Sequence, residues 1–102
     1  MINSKQRAWL RAEANGLDCL FQIGKGEIDT NIAKALNEIM STHELIKINV
    51  LKTAEEKPAE IAAQLASMSG ADIVQVIGRR IVLYRFSDKL AKTGKNLVLP
   101  MR

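Results

Sequence analysis

Leu45 to Leu51 alternates: Ile46, Ile48 and Val50 are apolar, and Lys47 and Asn49 between them are polar. Successive strand side chains point to opposite faces, so this pattern calls for a sheet with one buried face and one wet face. The rest of the chain has to supply neighbouring strands and a layer that covers the buried side. Cys19 to Ile23 reads as one such strand, with Cys19, Phe21 and Ile23 on one side and Leu20 and Gln22 on the other. Asp72 to Ile77 and Ile81 to Phe86 are two further β-rich runs. Gly78-Arg79-Arg80 between them reads as a hairpin, with glycine supplying the unusual turn dihedral.

The covering layer is helical. Asn3 or Ser4 can cap a first helix ending near Asn15, with Gly16 at its stop and Leu10, Ala14 and Leu17 as its apolar stripe. Trp9, at the edge of that stripe, is expected to pack against a neighbouring loop rather than to stack on a ligand. Asp29 is a good cap for a second helix whose buried face is Ile32, Ala33, Leu36, Ile39 and Met40. Pro58 suits the first turn of a third, with Ile61, Leu65 and Met68 inward and Gly70 at its end. The order is α-β-α-β-α-β-β. The reading is an α/β, two-layer (α+β) domain, with a mixed four-stranded sheet and helices packed on one face. Gln22, Lys47, Asn49 and Gln75 then fall on a common open sheet face. Residues 1–86 form the core of one domain. Residues 87–96 read as a mobile basic tail, and residues 97–99 as a short edge strand.

The 102 residues suffice for a single core without staples, and 47% apolar with 25% charged residues is an ordinary globular composition. One cysteine, Cys19, cannot form an internal disulfide, and no cluster suggests a metal. No apolar run approaches the roughly 20 residues of a membrane span, nor is there a secretory signal pattern at the start, so a soluble cytoplasmic protein is expected. The net charge of +4 is unevenly placed. Residues 73–102 carry seven Lys/Arg against Asp88 alone, while residues 1–72 are slightly acidic. Such asymmetry suggests a polyanionic partner.

Strand, Gly24-Lys25-Gly26, then helix is a plausible place to hold a phosphate. Glycines let backbone N–H groups approach a ligand, the following helix points its positive end at the loop, and Lys25 adds a full charge. The bland alternative is a tight turn with one solvated lysine. His43 is the only histidine, and no Ser or Cys nucleophile stands with a partner acid in any motif. A helix-end histidine capping carbonyls accounts for it. The glycine loop lacks the Lys-Ser/Thr ending of a Walker loop, which weighs against a nucleotide-using enzyme.

Taken together, these segments resemble a known family. Lys5-Gln6 with Leu10-Arg11 and Ala14, Gln22-Ile23-Gly24-Lys25-Gly26, His43-Glu44-Leu45-Ile46-Lys47, and Val74-Gln75-Val76-Ile77-Gly78 with Ile81-Val82-Leu83-Tyr84-Arg85 resemble the CRM domain, the CRS1/YhbY-like RNA-binding proteins. The likeness extends to Leu97-Val98-Leu99-Pro100 and is to the stand-alone bacterial members. It implies a fold similar to the C-terminal domain of bacterial translation initiation factor three. It also implies non-catalytic binding of structured RNA in precursors of the large ribosomal subunit, with no cofactor. The expected RNA contacts are the Gly24, Lys25 and Gly26 loop with Lys5, Arg7, Arg11, Lys47, Arg79, Arg80 and Arg85. For Arg85, a structural role is the alternative. A monomer is expected. The competing readings are a module docking on ribosomal proteins and, further off, a small phosphate- or nucleotide-using enzyme.

Family members carry a GxxG loop, by analogy with the loop that clamps nucleotides in KH domains. Glu27 stands here at the fourth position. A carboxylate there competes for the helix-start amides and repels phosphate, while stabilising the free helix by about 0.3–1 kcal/mol. Glu27→Gly is therefore expected to tighten RNA binding and slightly lower the melting temperature, both measurable on one preparation.

Overall fold

A computed structural model describes residues 2–26, 28–94 and 97–99 of the chain. Three helices start and stop where local chemistry dictates. In α1 (Ser4–Ala14), the Asn3 side chain accepts from the Gln6 N–H at 2.8 Å and the Gln6 side chain accepts from the Asn3 N–H at 3.1 Å, a reciprocal cap. α2 (Thr30–Met40) is capped by Asp29, which accepts from the Ile32 N–H at 3.0 Å. α3 (Pro58–Ser69) begins on its proline and ends at Gly70, whose φ of +71° is left-handed.

The four strands are β1 (Cys19–Ile23), β2 (Leu45–Val50), β3 (Asp72–Ile77) and β4 (Arg80–Tyr84), in the spatial order β1-β2-β4-β3. β1 and β2 are parallel, and β4 runs antiparallel to both β2 and β3. β3 therefore runs with β1 and β2, and α2 and α3 are the crossovers between parallel strands. The mixed four-stranded α+β architecture expected from the sequence is the one found. Gly78 and Arg79 make the hairpin turn; only Gly78, at +56°, has positive φ, the pattern of a type II′ turn.

The helices are not all on one face. Ile46, Ile48 and Val50 of β2, with Ile81 and Leu83 of β4, pack against Leu36 and Met40 of α2 and Ile61 and Leu65 of α3. Leu45, Val74, Val82 and Tyr84 point the other way and pack against Leu10 and Ala14 of α1. The one-face expectation is thus corrected: α1 covers part of the face read as open. The reason lies in β4, where Ile81 through Tyr84 are all buried. A central strand apolar on both faces needs cover on both. A bulge between Ile73 and Gln75 helps, because it adds Val74 to the α1 cluster while Gln75 keeps its pairing with Val82.

Two polar side chains tie the layers. Arg85 donates from Nη1 to Asn37 Oδ1 and to the Ser69 carbonyl, both at 2.7 Å, and from Nη2 to the Asn37 carbonyl at 3.1 Å. It thereby joins the C-terminal ends of α2 and α3. Glu44, only 3% exposed, accepts from the Ser87 N–H at 2.5 Å and the Leu97 N–H at 2.6 Å. Where the sequence suggested a mobile basic tail, residues 88–92 instead form a short helix, α4 (Asp88–Lys92), whose Leu90 N–H is capped by Ser87 Oγ. Residues 97–99 form no strand; Leu97 and Leu99 pack on the α1 cluster beside Trp9, and the Leu97 N–H, a strand's pairing group, is taken by Glu44. The remaining tail positions, residues 95, 96 and 100–102, lie outside the described residues.

Arg85→Ala is expected to lower stability by about 2–3 kcal/mol, the scale of charge-assisted hydrogen bonds lost together. Arg85→Lys should not restore it, since one ammonium cannot reproduce the fork; urea melts of the three proteins decide. Burial raises the phenol of Tyr84 above its ordinary 10.0, and the carboxylates of Glu44 and Asp72 add to the shift. Above that pH the unfolded chain releases this proton while the native state keeps it, so the group's contribution to stability is lost as pH rises. Tyr84→Phe should flatten that alkaline loss in melts taken on both sides of pH 10.0.

Candidate nucleic-acid interface

Three parallel strands and two crossover helices give the molecule two unlike ends. The C-terminal ends of β1, β2 and β3 lie together, and the connections that leave them gather there: residues 24–26 and 28–29, residues 51–57 and the Gly78-Arg79 turn. The Leu51 N–H donates to the Ile23 carbonyl at 2.8 Å, and the Val50 N–H donates to the Arg79 carbonyl at 2.7 Å. Since Arg85 holds the C-termini of α2 and α3 at the far end, both N-termini face this loop end. Helix N-termini present free amides and a positive dipole, the arrangement that favours anions.

Gly24 is buried, Lys25 and Gly26 are exposed, and Gly26 has φ of +69°. That left-handed value is one a side chain would strain. Glu27 lies outside the described residues. The Lys25 ammonium is 3.1 Å from Glu55 Oε1 in the neighbouring loop, with both side chains about 70% exposed (70% and 71%). Such a surface pair is worth only about 0–1 kcal/mol, so Lys25 can exchange this partner at small cost. Arg79 donates weakly to the Leu51 carbonyl at 3.4 Å and remains exposed, as does Arg80 beside it. Lys52 and Lys57, which sequence reasoning left in a polar connection, stand in the same group of loops. The signal was available: loops leaving parallel strands fall at one end of a sheet. Glu55, Glu56, Lys57 and Arg79 line an open hollow between two of these loops.

The other expected contacts are dispersed. Lys47 lies on the sheet face that α1 partly covers, one row in from the loop end. Arg7 donates to the Ile73 carbonyl at 3.4 Å, near the start of β3 and so toward the opposite end. Lys5 and Arg11 are exposed on α1. Arg85 is engaged on the α2/α3 side, where its guanidinium serves structure. The His43 ring does not cap a carbonyl; its Nδ1 is 3.0 Å from Thr42 Oγ1, and the His43 backbone N–H donates to the Ile39 carbonyl. Among the described residues no group of three or more His, Cys, Asp or Glu is placed to hold a metal, and no helix is long and apolar enough to cross a membrane.

This architecture has relatives. The protein named Probable RNA-binding protein YqeI of Bacillus subtilis (strain 168) is 39% identical over 98% of this chain and 100% of its own length. Probable RNA-binding protein MJ0652 of Methanocaldococcus jannaschii is 34% identical over 95% of this chain and 76% of its own. The solution structure of the hypothetical protein SAV1595 from Staphylococcus aureus superposes with a TM-score of 0.78 at 37% identity, covering 98% of this chain and 100% of that one. The CRS1 / YhbY (CRM) domain matches residues 2–85, which take in the loop end, the sheet and all three long helices. The chain belongs to the CRS1/YhbY (CRM) domain family.

Proposed function

We propose that the protein is a non-catalytic RNA-binding module that holds structured RNA by its phosphates at the loop end of the sheet. It acts as a cytoplasmic monomer on precursors of the large ribosomal subunit. The observation that carries this reading is the convergence at one end of two helix N-termini, the Gly24–Gly26 loop and the Arg79–Arg80 turn. Names of relatives support the nucleic-acid partner. Phosphate contacts give affinity and position without reading sequence, and they make binding fall with salt.

Affinity for an RNA hairpin should fall with salt at a log–log slope steeper than about −2, as several engaged cations require. Arg79→Ala should make that slope shallower by about 1, whereas Arg85→Ala, assayed well below its melting temperature, should leave it unchanged. A flat salt response would instead point to a protein partner on the ribosome. Crosslinking in cells followed by sequencing tests the assignment to large-subunit precursors.

Glu55→Gln should strengthen binding about two- to fivefold at low salt by freeing Lys25, the size expected of a surface ion pair. Lys25→Ala should weaken binding while the melting curve stays in place. Fluorescence titration with a single RNA fragment reads both.

A further inference from the structure

α1 seats on Leu45, Val74, Val82 and Tyr84, and among the described residues the row nearest the loop end stays accessible, with Gln22, Arg80 and Ile77 exposed and Asn49 half-buried. The strand register sets out what stands there. Gln22 of β1 pairs with Asn49 of β2, Asn49 with Arg80 of β4, and Arg80 with Ile77 of β3, giving one row across the whole sheet. Lys47, Val82 and Gln75 form the row behind it. Strands about 4.8 Å apart make the front row roughly 14 Å wide. Among the described residues, the side chains of Gln22, Lys47, Asn49, Gln75 and Arg80 have no hydrogen-bond or ion-pair partner. Ile77, 62% exposed, ends the row as an apolar contact surface.

We infer that this strip reads the base edges of unpaired purine nucleotides, with the amides of Gln22, Asn49 and Gln75 and the guanidinium of Arg80 as the reading groups. The inference rests on the proposed RNA-binding function and gives it a substrate class. An amide offers a donor and an acceptor side by side, which match N6 and N7 of adenine; a guanidinium matches O6 and N7 of guanine. An unpaired pyrimidine offers an amide only its Watson–Crick edge, whereas adenine offers both that edge and N6/N7, so a purine can engage two groups of the strip at once. The only carboxylate on this face of the strands, Asp72, pairs with Tyr84 at the α1 end, so charge on the strip is wholly positive. The front row adjoins the loops that would hold phosphates, so one strand of nucleotides can use both. In A-form RNA the N7 edges of purines lie in the deep, narrow major groove, which a sheet cannot enter, so the strip reaches them only in splayed bases. With no aromatic platform in either row, hydrogen bonding has to carry the discrimination.

The test uses three single-stranded oligomers of equal phosphate count, r(A)12, r(U)12 and r(C)12, and a blunt RNA hairpin, all at one salt concentration. Equal charge cancels the phosphate contribution. The full chain should bind r(A)12 about tenfold more tightly than either pyrimidine oligomer, on the scale of one bidentate base contact. Gln22→Ala/Asn49→Ala/Gln75→Ala should shrink that preference to about twofold while leaving r(U)12 affinity and its salt slope in place. Gln22→Ala alone, at an exposed edge-strand position, should reduce it partway and does not depend on the triple variant folding. Equal binding of the three oligomers by the parent chain, or a preference that survives in the folded triple variant, overturns the inference and leaves hairpin binding intact. Failure to bind any of the four RNAs overturns the proposed function along with it.

Discussion

β4 is apolar on both faces, and most of the architecture follows from burying it. Ile81 and Leu83 require the α2/α3 layer, and Val82 and Tyr84 require something opposite. A single helix of 11 residues supplies most of the second cover, with Leu97 and Leu99 beside it, and spans about 16 Å. That is too short to roof the whole sheet. The sheet is therefore closed at the end where Tyr84 lies and open at the end where Arg80 lies, and the exposed strip is a by-product of how little helix the second core needs.

Legibility from the sequence tracked the range of the interaction. Alternation in Ile46 to Val50 gave away β2, and Asp29, Pro58, Gly70 and Gly78 marked their elements, because each acts on neighbours a few residues off. The placement of α1 was hidden for a physical reason. Its stripe of Leu10 and Ala14 says that it packs, whereas the face it packs on is decided by β4, whose unbroken apolar run conceals the alternation that would assign it. Arg85 looked like any basic residue until its partners, 16 and 48 residues away, came into contact with it. The two hydrogen bonds to Glu44 cross 43 and 53 residues and had no sequence signature at all. Of the site, the Gly24–Gly26 loop and the Arg79–Arg80 turn were legible as local motifs. Their shared location, and the partnership of Lys25 with Glu55, depended on strand direction.

The helix-dipole arrangement is polar along the strand axis. Arg85 stands against the last-turn carbonyls of two helices, where a cation offsets the negative dipole end. The positive ends of the same helices are left to the loop end, which itself carries Lys25, Lys52, Lys57, Arg79 and Arg80. Glu55 and Glu56 temper this excess from within the same loops. Exposed cations stand at both ends, because Lys89 and Lys92 of α4 lie near the far end, where Ser87 bonds Glu44 and Ser41; what sets the loop end apart is the pair of helix N-termini it gathers.

The strand order β1-β2-β4-β3 also has a bearing on how the chain emerges during synthesis. β4 lies between β2 and β3 in space but follows both in sequence. Until residue 84 has left the exit tunnel, β2 and β3 each keep an unpaired edge toward the gap β4 will fill, and nothing yet joins the β1-β2 pair to β3. Exposed edges of this kind are the surfaces through which nascent chains pair wrongly. Brevity is the protection: the Gly78 turn follows β3 directly, so β4 can zip into place from a two-residue hinge within moments of its appearance.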